Sequence, residues 1–331
     1  MLDSNFSQII EMIEKRKNNA YRKVNEEMIL LYLEVGKFLY DMKENSSYGD
    51  KITTKAADFM KNNYPAIKGF TKRNIERMIQ FYSTYKDDEI ATPLVTQLSW
   101  TNNLLILSGA KTKEERHFYL QLSIKNNYSK RELDRQITSS YYERYTLSDG
   151  KQLPTVTKTI DEDDYPNTRI LDTYSLEFLD LPSEFSEKDL KNAIIKNLKD
   201  FILEVGKDFT FIGDEYKVQV GNHDFFIDLL FYNRELSCLV AFELKLGEFK
   251  AEYLGKMNLY LEALDRDVKK EQENPSVGII LCSSKDKDVV EYSLSKNMSQ
   301  TLISEYKLKL IDKKLLETKL KEMKSLIENN E

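Results

Sequence analysis

The spacing of apolar residues changes character near residue 190. Before it, hydrophobic side chains recur at steps of three and four, the repeat of one helical face. "FSQIIEMIEKRKNNAYRKVNEEMILLYLEVGKFLYDMK" keeps that step over a long span. Further helices are predicted in "SSYGDKITTKAADFMKNNYP", which Pro65 ends, and in "KGFTKRNIERMIQFYSTY", with Thr71 as N-cap. "KEERHFYLQLSIKNN" reads as another, and "SKRELDRQITSSYYERY" opens with Ser129 and Glu132 at capping-box spacing. Residues 1–145 are therefore expected to form a helical domain. Residues 146–189 are polar, acidic and broken by prolines, and are expected to be a linker with little order.

From 190 to 331 the pattern alternates between periods. "LKNAIIKNLKDFILEVG" reads as one amphipathic helix closed by Gly206. "YKVQV", "DFFIDLLFY" and "LSCLVAFELKL" read as strands joined by short turns. A helix in "KAEYLGKMNLYLEAL", a buried strand in "SVGIILCSS", a short helix in "KDVVEYSLS" and a strand in "TLISEYKLKL" follow, before a charged C-terminal helix. The expected fold class is α + α/β, with a mixed-sheet αβββαβ domain at the C-terminal end.

Composition narrows the possibilities. The chain has 331 residues, 41% hydrophobic and 31% charged, enough for two domains with real cores. It contains no apolar run of the ~18 residues that a membrane span requires. The N-terminal "MLDSNFSQIIEMIEKRKNN" lacks the apolar core of a signal peptide, so a cytoplasmic protein is expected. Cys238 and Cys282 lie in strand-like runs without CxxC spacing and read as buried thiols. With His117 and His223 the only histidines, a multi-histidine metal cage is excluded. The net charge of −6 is uneven: residues 161–189 hold two basic and ten acidic residues, whereas residues 1–150 hold 23 basic and 20 acidic. The acidity thus belongs mainly to the junction and does not exclude a nucleic-acid partner.

Two strands carry charges where burial is costly. Asp228 interrupts "FFIDLLF", and Glu243 and Lys245 interrupt "LVAFELKL". Strand side chains alternate faces, so Glu243 and Lys245 share one face, and adjacent strands would bring Asp228 to them. Two carboxylates plus the carbonyl of Leu244 make an all-oxygen site suited to Mg²⁺ or Mn²⁺. Such an ion supports phosphodiester hydrolysis, and Lys245 beside it can orient water or stabilise the phosphorane-like charge. The bland reading is a solvated strand face, for which these acids have unusually apolar neighbours.

These residues also carry a resemblance. Asp228 followed fifteen residues later by Glu243-Leu244-Lys245, between two helices, resembles the PD-(D/E)xK nuclease superfamily. "FTFIGDEYKVQVGNHDFFIDLLFYNRELSCLVAFELKLGEFKAEYLGKMNLYLEALD" resembles the C-terminal nuclease domain of the YhcG-like bacterial proteins. "KGFTKRNIERMIQFY", "QLSWTNNLLIL" and "YSKRELDRQITSSYYERY" resemble the helical N-terminal domain of that family. The resemblance implies a restriction-endonuclease-like domain with Asp228 and Glu243 as ligands and Lys245 catalytic. It also implies an acid from the first core helix, which maps onto Glu204. Where relatives commonly carry glutamine this chain has Lys256, a lysine that can equally contact a scissile phosphate, and where they carry histidine after "SWS" it reads "SWTN", with Asn102.

Other candidates rest on position alone. Lys72, Arg73 and Arg77 line a capped helix that can enter a DNA groove or be a solvated basic face. Lys250 and Tyr253 stand at the helix after the catalytic strand, where a phosphate would meet amide donors. His223 reads as a loop residue and His117 as structural. The expected function is Mg²⁺- or Mn²⁺-dependent endonucleolytic cleavage of DNA by a homo-oligomer, in genome defence or the processing of foreign or branched DNA. The alternatives are an RNA-cleaving enzyme and a non-cleaving nucleic-acid-binding or assembly protein built on the same fold.

Overall fold

The three- and four-residue steps of the first part of the chain do fold as helices. The computed structural model describes residues 2–44, 51–148, 171–295 and 300–328. It divides into two units, Met1–Thr138 and Ser139–Glu331. The first contains α1 (Leu2–Glu44), α2 (Ile52–Asn63), α3 (Lys72–Tyr85), α4 (Thr92–Val95), α5 (Trp100–Gly109), α6 (Lys113–Asn126) and α7 (Lys130–Thr138). Thr71 caps α3 by accepting the Asn74 amide at 3.3 Å. Ser129 and Glu132 exchange both capping-box bonds at the start of α7. Helix α1 lies against α3 over Ile29, Tyr32, Ile75, Met78 and Phe81, all buried. Gly36 permits that approach, because a Cβ there would stand 2.3 Å from the Met78 carbonyl oxygen. His117 is structural, as its position suggested: it holds Asp88 at 2.7 Å, and Asp88 also accepts the Ala91 amide.

The second unit begins with α8 (Tyr141–Leu147) and is built on a six-stranded sheet in the order β1-β6-β5-β4-β3-β2. The strands are β1 (Thr173–Ser175), β2 (Phe209–Val220), β3 (His223–Asn233), β4 (Cys238–Leu244), β5 (Asn274–Cys282) and β6 (Thr301–Lys307). β2, β3 and β4 pair antiparallel, whereas β4, β5, β6 and β1 run parallel. Helices α9 (Glu187–Lys196) and α10 (Leu198–Val205) cover one face over Phe201, Phe231, Phe242 and Ile279. Helix α11 (Glu252–Ala263) covers the other, over Leu239, Ala241, Met257 and Ile280. Helices α12 (Lys287–Leu294) and α13 (Lys313–Glu328) complete the unit.

Three details differ from the sequence expectation. The single helix expected over 190–206 breaks at Asn197 into α9 and α10, although Gly206 (φ +130°) does close it. Residues 171–189 are not linker: they form β1, a 3₁₀ turn at Glu177–Leu179 and the capped start of α9. Leu171, Tyr174 and Leu176 are fully buried there, so apolar side chains override the acidic composition around them. Finally, α8 lies within the expected helical domain but groups with the second unit, where it packs on α13. The rest of the expected linker, 149–170, lies outside the described residues.

Candidate active site

Antiparallel pairing places the charges. The β3–β4 ladder runs as far as Leu229 opposite Phe242, and Asp228 and Glu243 are the next residue of each strand beyond it. Opposed residues of an antiparallel pair point to the same face. For these two it is the face under α11, which Leu230 and Ala241, the next facing pair along, also line. The Asp228 Oδ2 accepts the amide of Leu244 at 2.8 Å, which fixes that carboxylate.

Glu243 is 1% exposed, and two ammonium groups converge on its Oε1: Lys245 at 2.9 Å and Lys256 of α11 at 2.7 Å. Its Oε2 is buried and has no hydrogen-bond partner among the described residues. The Oδ1 of Asp228 likewise has no hydrogen bond among the described residues. Each facing acid thus keeps one oxygen unused. Burial, then the Glu243 charge, raises the Asp228 carboxyl above its ordinary range, against the Leu244 amide and the two lysines. Burial also opposes the Lys245 ammonium, but hydrogen bonds and charge from Glu243 and Glu187 hold its pKa above the usual value. For Lys256 burial is again outweighed, and its pKa is raised by Glu243 and by Tyr260.

Around these four groups the scaffold is firm. Lys245 lies 5.4 Å from the Tyr253 ring centroid and Lys256 5.3 Å from that of Tyr260. The Tyr260 hydroxyl donates to the Phe226 carbonyl at 2.5 Å, tying α11 to β3. Glu187, the first residue of α9, accepts from Lys245 at 3.2 Å.

A divalent ion fits this arrangement in part. Among the described residues no group of three or more His, Cys, Asp and Glu side chains has metal-holding geometry. Two opposed carboxylates with one unused oxygen each, one of them buried, are nevertheless the donor set for an ion that keeps several waters, as Mg²⁺ does.

Residues 167–321 match the YhcG PDDEXK nuclease domain, and residues 8–144 match the DUF1016 N-terminal domain. Between them the two matches span most of the chain, which carries both domains found in the YhcG-like proteins. YhcG of Escherichia coli (strain K12) is 29% identical over 358 aligned positions, covering 97% of this chain and 94% of that protein. A crystal structure of a repair endonuclease from Pyrococcus abyssi aligns at 19% identity and a TM-score of 0.26. It covers 40% of this chain and 50% of its own.

The structure of this YhcG-like chain gathers Asp228, Glu243, Lys245 and Lys256, but it does not gather Glu204. Glu204 lies on α10, on the opposite face of the sheet, in a buried ion pair with Arg144 of α8. Its Oε1 also accepts the Ser175 amide at 2.7 Å, and Arg144 further bonds the carbonyls of Ser139 and Thr173. The acid that the first helix does send toward Lys245 is Glu187, seventeen residues earlier. Its signal was the capping box Ser186-x-x-Asp189, which starts α9 there. Lys250 is exposed and precedes α11, its carbonyl accepting the Tyr253 amide. Lys72, Arg73 and Arg77 belong to α3 of the first unit, with Lys72 4.0 Å from Glu76. His223 is exposed at the start of β3.

Proposed function

We propose that the chain is a divalent-metal-dependent nuclease that hydrolyses DNA phosphodiester bonds. The observation that carries this reading is the buried Oε2 of Glu243, without a hydrogen-bond partner among the described residues, on a carboxylate whose charge acts on the neighbouring Asp228. A folded protein rarely leaves a buried carboxylate oxygen unused, and a bound cation is the simplest partner for it. Asp228 and Glu243 would hold Mg²⁺ or Mn²⁺ with the Leu244 carbonyl beside them. Bound there, the ion supplies neutralisation of phosphate charge and a lowered pKa for water. Lys245, kept charged by Glu243 and Glu187, donates to the scissile phosphate or orients the attacking water. Lys256, half-exposed on α11, is placed to leave Glu243 for a strand phosphate when the carboxylate charge is taken up, and exposed Lys250 extends the same surface. Lys72, Arg73 and Arg77 on α3 would add affinity for the DNA backbone.

Self-association is part of the proposal, since cutting both strands needs two sites. It is supported by α1, where Tyr21, Val24, Met28, Leu31, Val35, Phe38 and Met42 follow a three-four repeat. All but Val35 are exposed, Tyr21 at 74% and Phe38 at 65%. A cytoplasmic location is supported by Cys238 and Cys282, which are free and buried. Among the described residues no helix is long and apolar enough to cross a membrane. Genome defence or processing of foreign or branched DNA is the biological role that fits such an activity. Against a non-cleaving protein stands the complete set of Asp228, Glu243 and Lys245. The test is incubation of the purified chain with plasmid, linear and branched DNA, and with RNA, in Mg²⁺, Mn²⁺ or EDTA. Metal-dependent cleavage of DNA is expected, and undiminished cleavage in EDTA would refute the metal.

A further inference from the structure

The helical unit has a cavity of about 1130 Å³, bordered by α1, the turn before α5 and the turn before α7. Two helices begin at it. Ser99 caps α5 by accepting the Asn102 amide at 3.2 Å, and Ser129 caps α7 by accepting the Glu132 amide at 3.4 Å. A helix start presents first-turn amides that have no partner inside the helix, with a partial positive charge. Such starts are common, and alone they identify nothing.

Two buried polar groups lining the same cavity are incomplete. Asn102 is 5% exposed and spends its Nδ2 on the Tyr128 carbonyl at 2.9 Å, while its Oδ1 has no partner among the described residues. Ser123 is fully buried and its Oγ has no partner among those residues either. Both residues line the cavity. A native fold seldom tolerates such groups unless water or a ligand completes them. The amide orientation is fixed by the Tyr128 contact, so Oδ1 awaits a donor.

The charge of the lining is also unbalanced. Arg22 of α1 and Lys130 of α7 both line it, and neither has an ion pair among the described residues. The acid that lines it, Glu26, already accepts from Lys23 at 3.1 Å. Tyr21 adds an exposed aromatic ring to the lining.

We propose that this cavity binds a phosphate-bearing nucleotide unit. Its phosphate would be met by the two helix starts with Arg22 and Lys130, and a base or sugar donor would reach Asn102 Oδ1, with Ser123 alongside. Phosphate alone does not complete Asn102, which needs a donor. The volume exceeds the usual range for a small-ligand site, so more than one nucleotide can be seated. The nucleotide is either free or part of a strand. This site shares no residue with the carboxylate pair or with the basic face of α3, and it gives Asn102 a role that family resemblance did not.

The test uses the full chain in EDTA, so that its outcome is independent of metal chemistry. Deoxyadenosine monophosphate, a short 5′-phosphorylated single strand and inorganic phosphate are titrated by calorimetry. At least one of the first two is expected to bind, and to bind about tenfold or more tighter than inorganic phosphate. The double variant Arg22→Ala/Lys130→Ala should weaken that binding about tenfold or more, the loss expected of two charge-assisted contacts. Both side chains are exposed, so the fold should survive, and unfolding temperature checks it. Lys61→Ala, on exposed α2 and outside the lining, should leave mononucleotide binding unchanged. Binding of the mononucleotide identifies a free nucleotide as sufficient, whereas binding of the strand alone identifies a strand. Binding of neither, equal binding by the double variant, or inorganic phosphate as tight as the nucleotide overturns the proposal.

Discussion

Glu204 and Glu243 are both glutamates of the second unit, and both are 1% exposed. Glu204 is completed by its surroundings: Arg144 pairs with it, a Ser175 amide adds to one oxygen, and Arg144 is itself held by two carbonyls. Glu243 is crowded on one oxygen by two lysines and left bare on the other. A buried acid that is fully matched holds parts of a fold together. A buried acid that is half-matched, beside a second acid, is the one to which the proposed function assigns the cation.

Substitutions should separate the two. The largest effect is expected at the half-matched pair. Asp228→Ala or Glu243→Ala should reduce DNA cleavage to background while circular dichroism and DNA retention stay close to the wild type. Loss of folding in both variants would place these acids with Glu204 among structural groups. Next comes Lys245→Ala, which should slow cleavage by ~10² or more at saturating Mg²⁺, the scale of one electrostatic stabiliser. A rate near wild type under those conditions would reduce Lys245 to a counter-ion.

At the matched pair the readout changes from rate to stability. Arg144→Ala removes the cationic partner of the buried Glu204 and should cost about 3–5 kcal/mol in chemical denaturation. An unchanged midpoint would mean that α8 is not anchored through this contact. The smallest effect is expected at Lys256, 46% exposed and therefore partly screened. Lys256→Gln should tighten Mg²⁺ binding by about fivefold or less, since one competing ammonium is removed from Glu243. Weaker Mg²⁺ binding in that variant would show that Lys256 assists the ion instead.

How far the chain could be read without coordinates follows the same division. Asp228, Glu243 and Lys245 were legible because each interrupts an apolar strand, and the strand period fixes which side chains share a face. The two strands that carry the acids paired as expected, so Asp228 and Glu243 stand side by side just beyond the last ladder pair. Glu204 misled because a helical acid near the end of a core helix can face either side of a sheet. Only the break at Asn197 and the partner Arg144, sixty residues away, decide which. Glu187 lay inside an acidic stretch whose composition masked a helix start. β1 is three residues long, too short for a periodic signal, and is specified by its parallel pairing with β6. Lys256 was visible as a residue, but its contact with Glu243 depends on how α11 docks on the sheet.

The central claim is that Glu243 holds a divalent ion and Glu204 does not. Calorimetric titration of Mn²⁺ into wild type, Glu243→Gln and Glu204→Gln tests it without relying on a chosen DNA substrate. Each protein is measured below its own unfolding temperature. The account predicts saturable binding in wild type and in Glu204→Gln, and its loss in Glu243→Gln. Binding of equal strength in Glu243→Gln, or its loss in a folded Glu204→Gln, would contradict it.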